Sequence, residues 1–313
     1  MRILIVGAGA TGGYFGARLA QAGRDVTFLL RERRSQQLQK NGLILQTPQG
    51  RETLNPVTLL AAEISSPYDL IVLTVKGFGL QQAMEDIAPA VGPNTLILPV
   101  LNGMRHIDLL RQRFGDRHVI GGLCKIHATL GAEGEIVQLS PLHQLYYGAL
   151  NGDNGERLQQ LDSTLRDCGF DAFLSDAIAC ELWEKWLLLS TLGAVTCLAR
   201  GDTRQVVASG GGQAMLTGLF NEVLSTLIAE GYQHRQAQTD GILTWLSNPD
   251  TPLTSSMYRD LMQGYDIEAD QIIGDLVQRA QRHQLATPLL NAVWVNLQVY
   301  LLQRQASSET AAS

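Results

Sequence analysis

A chain of 313 residues with 45% hydrophobic content and only 10 prolines can bury one large core or, more naturally, two, so disorder is not its default. The formal net charge of −6 is spread without long runs of one sign, so the basic stripe demanded by a phosphate backbone is missing and nucleic acid is not an expected partner. Cys124, Cys168, Cys180 and Cys197 form no close C-x-x-C pair and read as buried thiols. Six scattered histidines show no ligand spacing, so no metal is expected.

The run Met1-Arg2-Ile3-Leu4-Ile5-Val6 reads as a buried parallel strand rather than a signal peptide or a membrane span, which makes a cytoplasmic address the simplest. Gly7-Ala8-Gly9-Ala10-Thr11-Gly12-Gly13 follows, then a helix-compatible stretch to Ala22 and a second strand over residues 25–30. In that order the glycines have separate tasks: Gly7 permits the turn, Gly9 lets backbone approach a pyrophosphate, and Gly12 lets helix and sheet pack closely. Gly7, Ala8, Gly9, Ala10, Thr11 and Gly12 are therefore candidate dinucleotide-binding residues, with phosphates against the free amides of the helix start. The motif alone leaves FAD open. Where an NAD enzyme places an acid on the ribose, the second strand runs into Arg31, Glu32, Arg33 and Arg34. Arginine pairs with a 2′-phosphate and favours NADPH; Glu32 keeps NAD open, and Arg33 and Arg34 also fit solvated loop positions.

Residues 43–60 suggest a small strand pair, 68–75 a buried strand, 80–87 a helix and 94–100 another strand. Lys76 and Asn102 lie just beyond strand ends, where open α/β sheets meet their ligands; ordinary loop roles fit equally. After a helix over 107–114, strands over 119–127, 134–139 and 145–149 are expected to complete the sheet, some antiparallel, with a turn at 131–134. A polar connector, 151–155, leads into a helix over 156–168. His127 reads as an ordinary strand histidine or an acid.

From Ser175 apolar residues recur at helical spacing. The expected architecture is an α/β Rossmann domain over residues 1–174 followed by an all-α domain over 175–313. Helices are expected over 177–198 and 212–230, around Leu243 and Tyr258, over 267–283, and from Pro288 toward Leu302, before a polar tail, 305–313, that frays. Lys185 sits among large apolar neighbours, where desolvation lowers a lysine pKa and readies it to donate a proton; a surface pair with Glu181 four residues earlier is the plainer reading. Ser256 fits a cap and Glu268 a solvated acid.

Taken together, Gly7–Gly13, Arg31, Lys76, Asn102-Gly103-Met104, Glu184-Lys185, Ser255-Ser256-Met257 with Asp260, and Glu268 with Asp270 resemble the ketopantoate reductase family over nearly the whole chain. The resemblance implies an NADPH-dependent reduction of ketopantoate to pantoate, on the route to pantothenate, in a Rossmann domain followed by a helical domain that closes over the substrate. It implies that Lys185 polarises the keto oxygen and supplies a proton, and that Glu268 is the acid beside the substrate. Ser256 and Asn102 would bind substrate, Asn102 and Lys76 would lie between cofactor and substrate, and Arg31 would meet the 2′-phosphate. A homodimer is compatible with it.

Where the family usually carries asparagine, this chain has Leu189, Gly193 and Ile273. Losing those amides makes the pocket more apolar. Two alternatives follow: an NADPH-dependent reductase of a more apolar 2-keto acid, and a non-catalytic NADPH-binding paralogue, against which the retention of Lys185 and Glu268 argues.

Overall fold

The computed structural model describes residues 1–312 of the chain, which form two compact units. One holds Met1–Leu101 and His106–Ala179; the other holds Asn102–Arg105 and the chain from Cys180 onward.

The first unit runs β1 (Arg2–Val6), α1 (Ala10–Gln21), β2 (Asp25–Leu29), α2 (Glu32–Asn41), β3 (Leu43–Thr47), β4 (Gly50–Leu54), β5 (Val57–Leu59), β6 (Tyr68–Leu73), α3 (Leu80–Ile87), β7 (Val91–Pro99), α4 (Arg105–Phe114), β8 (Gly121–Leu130), β9 (Ile136–Gly148), α5 (Glu156–Leu165) and β10 (Asp171–Leu174). An all-parallel sheet takes the order β5-β2-β1-β6-β7. Four of the five residues in each of β1 and β2 are buried in succession, the pattern of strands covered on both faces and the reason these runs are continuously apolar rather than alternating.

The later strands do not complete that sheet, contrary to the sequence expectation. β8 pairs with β9, and β9 joins β3, β4 and β10 in a second sheet. The segments expected as two strands, 134–139 and 145–149, are one strand, because Pro141 is exposed and the ladder skips it by a register shift opposite Ile126/Ala128. A bulge tolerates proline where a ladder donor would otherwise be lost. Helix α1 packs against β1 and β2 on one side and β3, β8 and β9 on the other. Phe15 meets Phe170 edge-on, with ring centres 5.0 Å apart, and Tyr14 Oη lies 2.6 Å from His143 Nδ1. The start of α1 is thus held from both sheets.

The second unit contains α6 (Ile178–Ala199) from Cys180 onward, α7 (Thr203–Ala208), α8 (Gly212–Ala229), α9 (Gln236–Leu246), α10 (Ser256–Met262), α11 (Asp275–Arg282) and α12 (Pro288–Ala312). Helices α8 and α12 pack together, and Leu216, Leu219 and Val223 of α8 and Leu290, Val293 and Leu297 of α12 are buried. Glu222 of α8 accepts the amides of Leu289 (3.1 Å) and Leu290 (2.7 Å), placing a carboxylate on the orphan donors at the α12 N-terminus.

Three details differ from the sequence reading. Helix α7 was not expected; an Asp202/Gln205 capping box starts it. The helix expected over 267–283 is interrupted by a π turn, Asp270–Gly274, before α11. The last helix continues to Ala312 through most of the tail expected to fray, and Ser313 lies outside the described residues. No helix among the described residues is long and apolar enough to cross a membrane. The Rossmann-then-helical fold class is the observed one.

Candidate active site

With β1 between β2 and β6, the parallel sheet reverses its strand order at β1, and the turn after β1 opens at that switch point, where doubly wound sheets take their ligands. Thr74, just past β6, donates its hydroxyl to the carbonyls of Val6 (2.9 Å) and Gly7 (3.2 Å). A Cβ at Gly12 would collide with that hydroxyl and with the Gly7 carbonyl, so only glycine lets α1 start so close to the sheet. Gly9 caps α1 without a side-chain hydrogen bond, and a Cβ there would meet nothing within 4 Å. The turn from Gly7 through Ala8, Ala10 and Thr11 to Gly12 therefore forms a backbone cradle whose helix amides are not spent on a side chain. A dinucleotide pyrophosphate fits it.

Arg31 stands exposed as the N-cap of α2, its guanidinium 3.5 Å from where a Cβ on Gly79 would be. Lys76 is exposed at the end of β6, its Nζ 6.0 Å from the ring centre of Phe78, a side chain 68% exposed. Two cations and an aromatic face thus flank the carboxyl ends of β2 and β6. Arg34 is not the solvated loop residue its sequence position allowed. Its Nε donates to the Ala8 carbonyl (3.1 Å), its Nη2 to that of Gly134 (2.9 Å) and its Nη1 to Gln37 (2.6 Å), and burial pushes its pKa down. It ties the glycine-rich turn to the β8–β9 turn, a task no local pattern announces. Cys124 and His127 lie on β8, the first half-buried and the second exposed.

In the helical unit, Lys185 is half-buried near the middle of α6. Its neighbour Glu184 is committed elsewhere, to Arg235 (2.6 and 2.5 Å) and the Tyr232 hydroxyl (2.9 Å). Asn102 Nδ2 donates to Glu268 Oε2 at 3.4 Å, bringing together two residues 166 positions apart in sequence. Gly103 follows at φ +80°, and a Cβ on it would lie 2.5 Å from the Gln271 carbonyl oxygen. The cap of α10 is Ser255, whose hydroxyl accepts from the Tyr258 amide (2.9 Å) and lies 3.1 Å from Thr196 Oγ1. Ser256, one residue on, is exposed and is relieved of the capping role its sequence position allowed.

Two family models match the chain: ketopantoate reductase PanE/ApbA over residues 3–152 and its C-terminal counterpart over residues 177–300. The chain belongs to the ketopantoate reductase family. It is an enzyme, an oxidoreductase. This reductase is 33% identical over 300 residues to the Bacillus subtilis protein named uncharacterized oxidoreductase YkpB, covering 96% of this chain and 99% of that one. It is 28% identical to a 2-dehydropantoate 2-reductase of Mesorhizobium japonicum, covering 94% and 95%. Among solved structures, the 2-dehydropantoate 2-reductase of Geobacter metallireducens superposes with a TM-score of 0.83 at 27% identity, covering 95% of this chain and 99% of that one. A D-mandelate dehydrogenase solved with NADH and anilino(oxo)acetate has the same fold, at a TM-score of 0.86 and 21% identity, covering 97% and 100%.

Within this reductase, the positions where the family resemblance implies asparagine are filled by apolar packing. Leu189 is half-buried one helical turn after Lys185, and Ile273 is fully buried in the π turn. Gly193 is buried, and the Met257 methyl lies 2.7 Å from where its Cβ would stand. A methionine occupies the room that a larger side chain at 193 would take. Among the described residues no cluster of His, Cys, Asp and Glu is arranged to hold a metal ion.

Proposed function

We propose that this reductase uses NADPH to reduce a small 2-keto acid to the 2-hydroxy acid, with ketopantoate as its first candidate substrate. The observation that carries the reading is the Asn102–Glu268 hydrogen bond in the unit that also presents the half-buried Lys185. A carboxylate with its amide partner and a lysine amine supply the groups that ketone reduction requires of a protein.

Gly7, Ala8, Gly9, Ala10, Thr11 and Gly12 would hold the pyrophosphate, with Arg31 toward the 2′-phosphate and Lys76, with Asn102, between cofactor and substrate. Arg31 favours NADPH because a guanidinium answers a 2′-phosphate with charge-assisted hydrogen bonds. The nicotinamide, when bound, supplies the hydride. As negative charge grows on the substrate oxygen, the Lys185 ammonium stabilises it more in the transition state than in the ground state, then donates a proton to that oxygen. Glu268, oriented by Asn102, accepts a hydrogen bond from a substrate hydroxyl, and Ser256 offers a further polar contact from the first turn of α10.

A second reading, a 2-keto acid with a more apolar substituent, is favoured by Leu189 and by the Met257 methyl packed over Gly193. An apolar wall discriminates a hydroxyl-bearing substrate from its hydrocarbon counterpart only weakly, whereas a site built to hydrogen-bond that hydroxyl discriminates strongly. The test is NADPH consumption by purified protein with ketopantoate, 2-ketoisovalerate and bulkier 2-keto acids. Turnover selective for ketopantoate supports the first reading, and preference for an apolar acid supports the second. Tight NADPH binding without turnover of any of them contradicts both.

A further inference from the structure

The π turn, Asp270–Gly274, receives two other site-bearing segments on successive carbonyls. The Gln271 carbonyl oxygen lies 2.5 Å from where a Cβ of Gly103 would stand, so the residue after Asn102 rests directly on it. The Ile272 carbonyl accepts the indole N–H of Trp186, the residue after Lys185, at 3.0 Å. Trp186 is 1% exposed, and the Arg279 guanidinium lies 5.4 Å from its ring centre. Trp294 Cη2 lies 2.9 Å from where a Cβ on Gly274 would be, so an α12 ring also packs against the turn. Glu268 lies two residues before the turn, and its own carbonyl accepts the Ile272 amide at 3.0 Å.

We infer that this turn sets the mutual register of Lys185, Asn102 and Glu268, and that Trp186 is the positioning residue that fixes the lysine helix to it. π turns recur at functional sites because they redirect backbone groups that an α-helix would use internally. Here the Ile272 carbonyl accepts a donor from another segment, and the Gln271 carbonyl faces Gly103. A buried carbonyl needs a partner, and Trp186 provides one from the residue adjoining the lysine. A regular helix over 267–283 would turn these carbonyls along its own axis and leave the indole N–H without this acceptor. The inference rests on the proposed roles of Lys185 and Glu268, but it concerns geometry rather than chemistry.

The test uses the full-length Trp186→Phe variant, which keeps an aromatic ring and removes only the donor. The expected result is unchanged affinity for NADPH, a kcat lowered by roughly ten- to a hundredfold, as small misplacements of reacting groups produce, little change in KM, and a displaced limb in the pH profile of kcat. Val223→Ala, a cavity in the α8 core that leaves the Trp186–Ile272 bond intact, is the stability control and should keep wild-type kcat and pH profile. Wild-type kcat and pH profile in Trp186→Phe would overturn the inference, as would an equal loss of kcat in Val223→Ala. If Trp186→Phe does not fold, Gly103→Ser crowds the same turn from its other face, with the same expected and overturning results. Lys185→Ala separates the two layers of argument: wild-type turnover in that variant refutes the proposed chemistry, whereas an inactive Lys185→Ala beside a fully active Trp186→Phe refutes only the positioning role.

Discussion

The Met257 methyl lies 2.7 Å from the point where a Cβ on Gly193 would stand, so a flexible thioether occupies the volume that α6 leaves open two turns beyond Lys185. Methionine adapts to such gaps at low cost. Gly193→Ala should therefore fold normally. Its helix-propensity gain of about 1 kcal/mol opposes the displacement of one side-chain end, and the net change in urea unfolding should stay within about 1 kcal/mol. The Gly193→Asn, Met257→Ala double variant should shift kcat/KM toward hydroxylated 2-keto acids. Unaltered selectivity would dissociate this pair from substrate choice.

Gly103 is less forgiving. Its φ of +80° and the 2.5 Å approach of the Gln271 carbonyl set a strained backbone against a rigid backbone atom. Gly103→Ala should cost about 2 kcal/mol or more in unfolding free energy and lower kcat. A variant with wild-type stability and rate would show that the 102–105 segment tolerates movement.

Arg31 and Arg34 should separate cleanly although they are three residues apart. Removing exposed Arg31 should weaken NADPH binding about tenfold or more while changing NADH binding little, as expected for a charge-assisted contact to a 2′-phosphate. Arg34→Ala should weaken both cofactors and destabilise the fold by about 1–3 kcal/mol, because the Ala8 and Gly134 carbonyls lose a buried donor. Titrations with both nucleotides check this, and equal losses for the two cofactors in Arg31→Ala would refute its specificity role.

Glu230, at the end of α8, links α11 through Arg279, through Arg282 (3.1 Å) and through His283 (2.8 Å). Burial pushes its carboxyl pKa up, but the bonds to Arg282, Arg279 and His283 outweigh this and hold it below the usual carboxylate range. A depressed folded-state pKa contributes stability above the unfolded value and loses it as pH falls through the folded one. Acidification from about pH 5 toward pH 2 should therefore destabilise the wild type more steeply than Glu230→Gln, which starts lower at neutral pH. Parallel slopes in pH-dependent urea unfolding would contradict this.

The central strands and most helices were legible because their apolar runs and helical spacings are local signals. The glycine-rich turn was legible because each glycine has a separate steric reason. The single strand β9 was read as two because its ladder carries a bulge past Pro141 that no local pattern announces, and pairing partners for β8 and β9 are not written in their own sequence. The Asn102–Glu268 bond joins residues 166 positions apart; the family resemblance named both residues but did not pair them. Trp186, Arg34 and the π turn left no local trace. Trp186 and Arg34 each meet a carbonyl of a distant segment, and carbonyls are common to every residue.

The most direct test compares single-turnover NADPH oxidation by wild type and Lys185→Ala, using the best 2-keto acid from the substrate panel. Loss of a positioned general acid and oxyanion partner predicts a rate lowered by about 10²–10⁴-fold with the NADPH dissociation constant unchanged. A Lys185→Ala variant that reduces the acid at the wild-type rate would contradict the account and place the proton donor elsewhere.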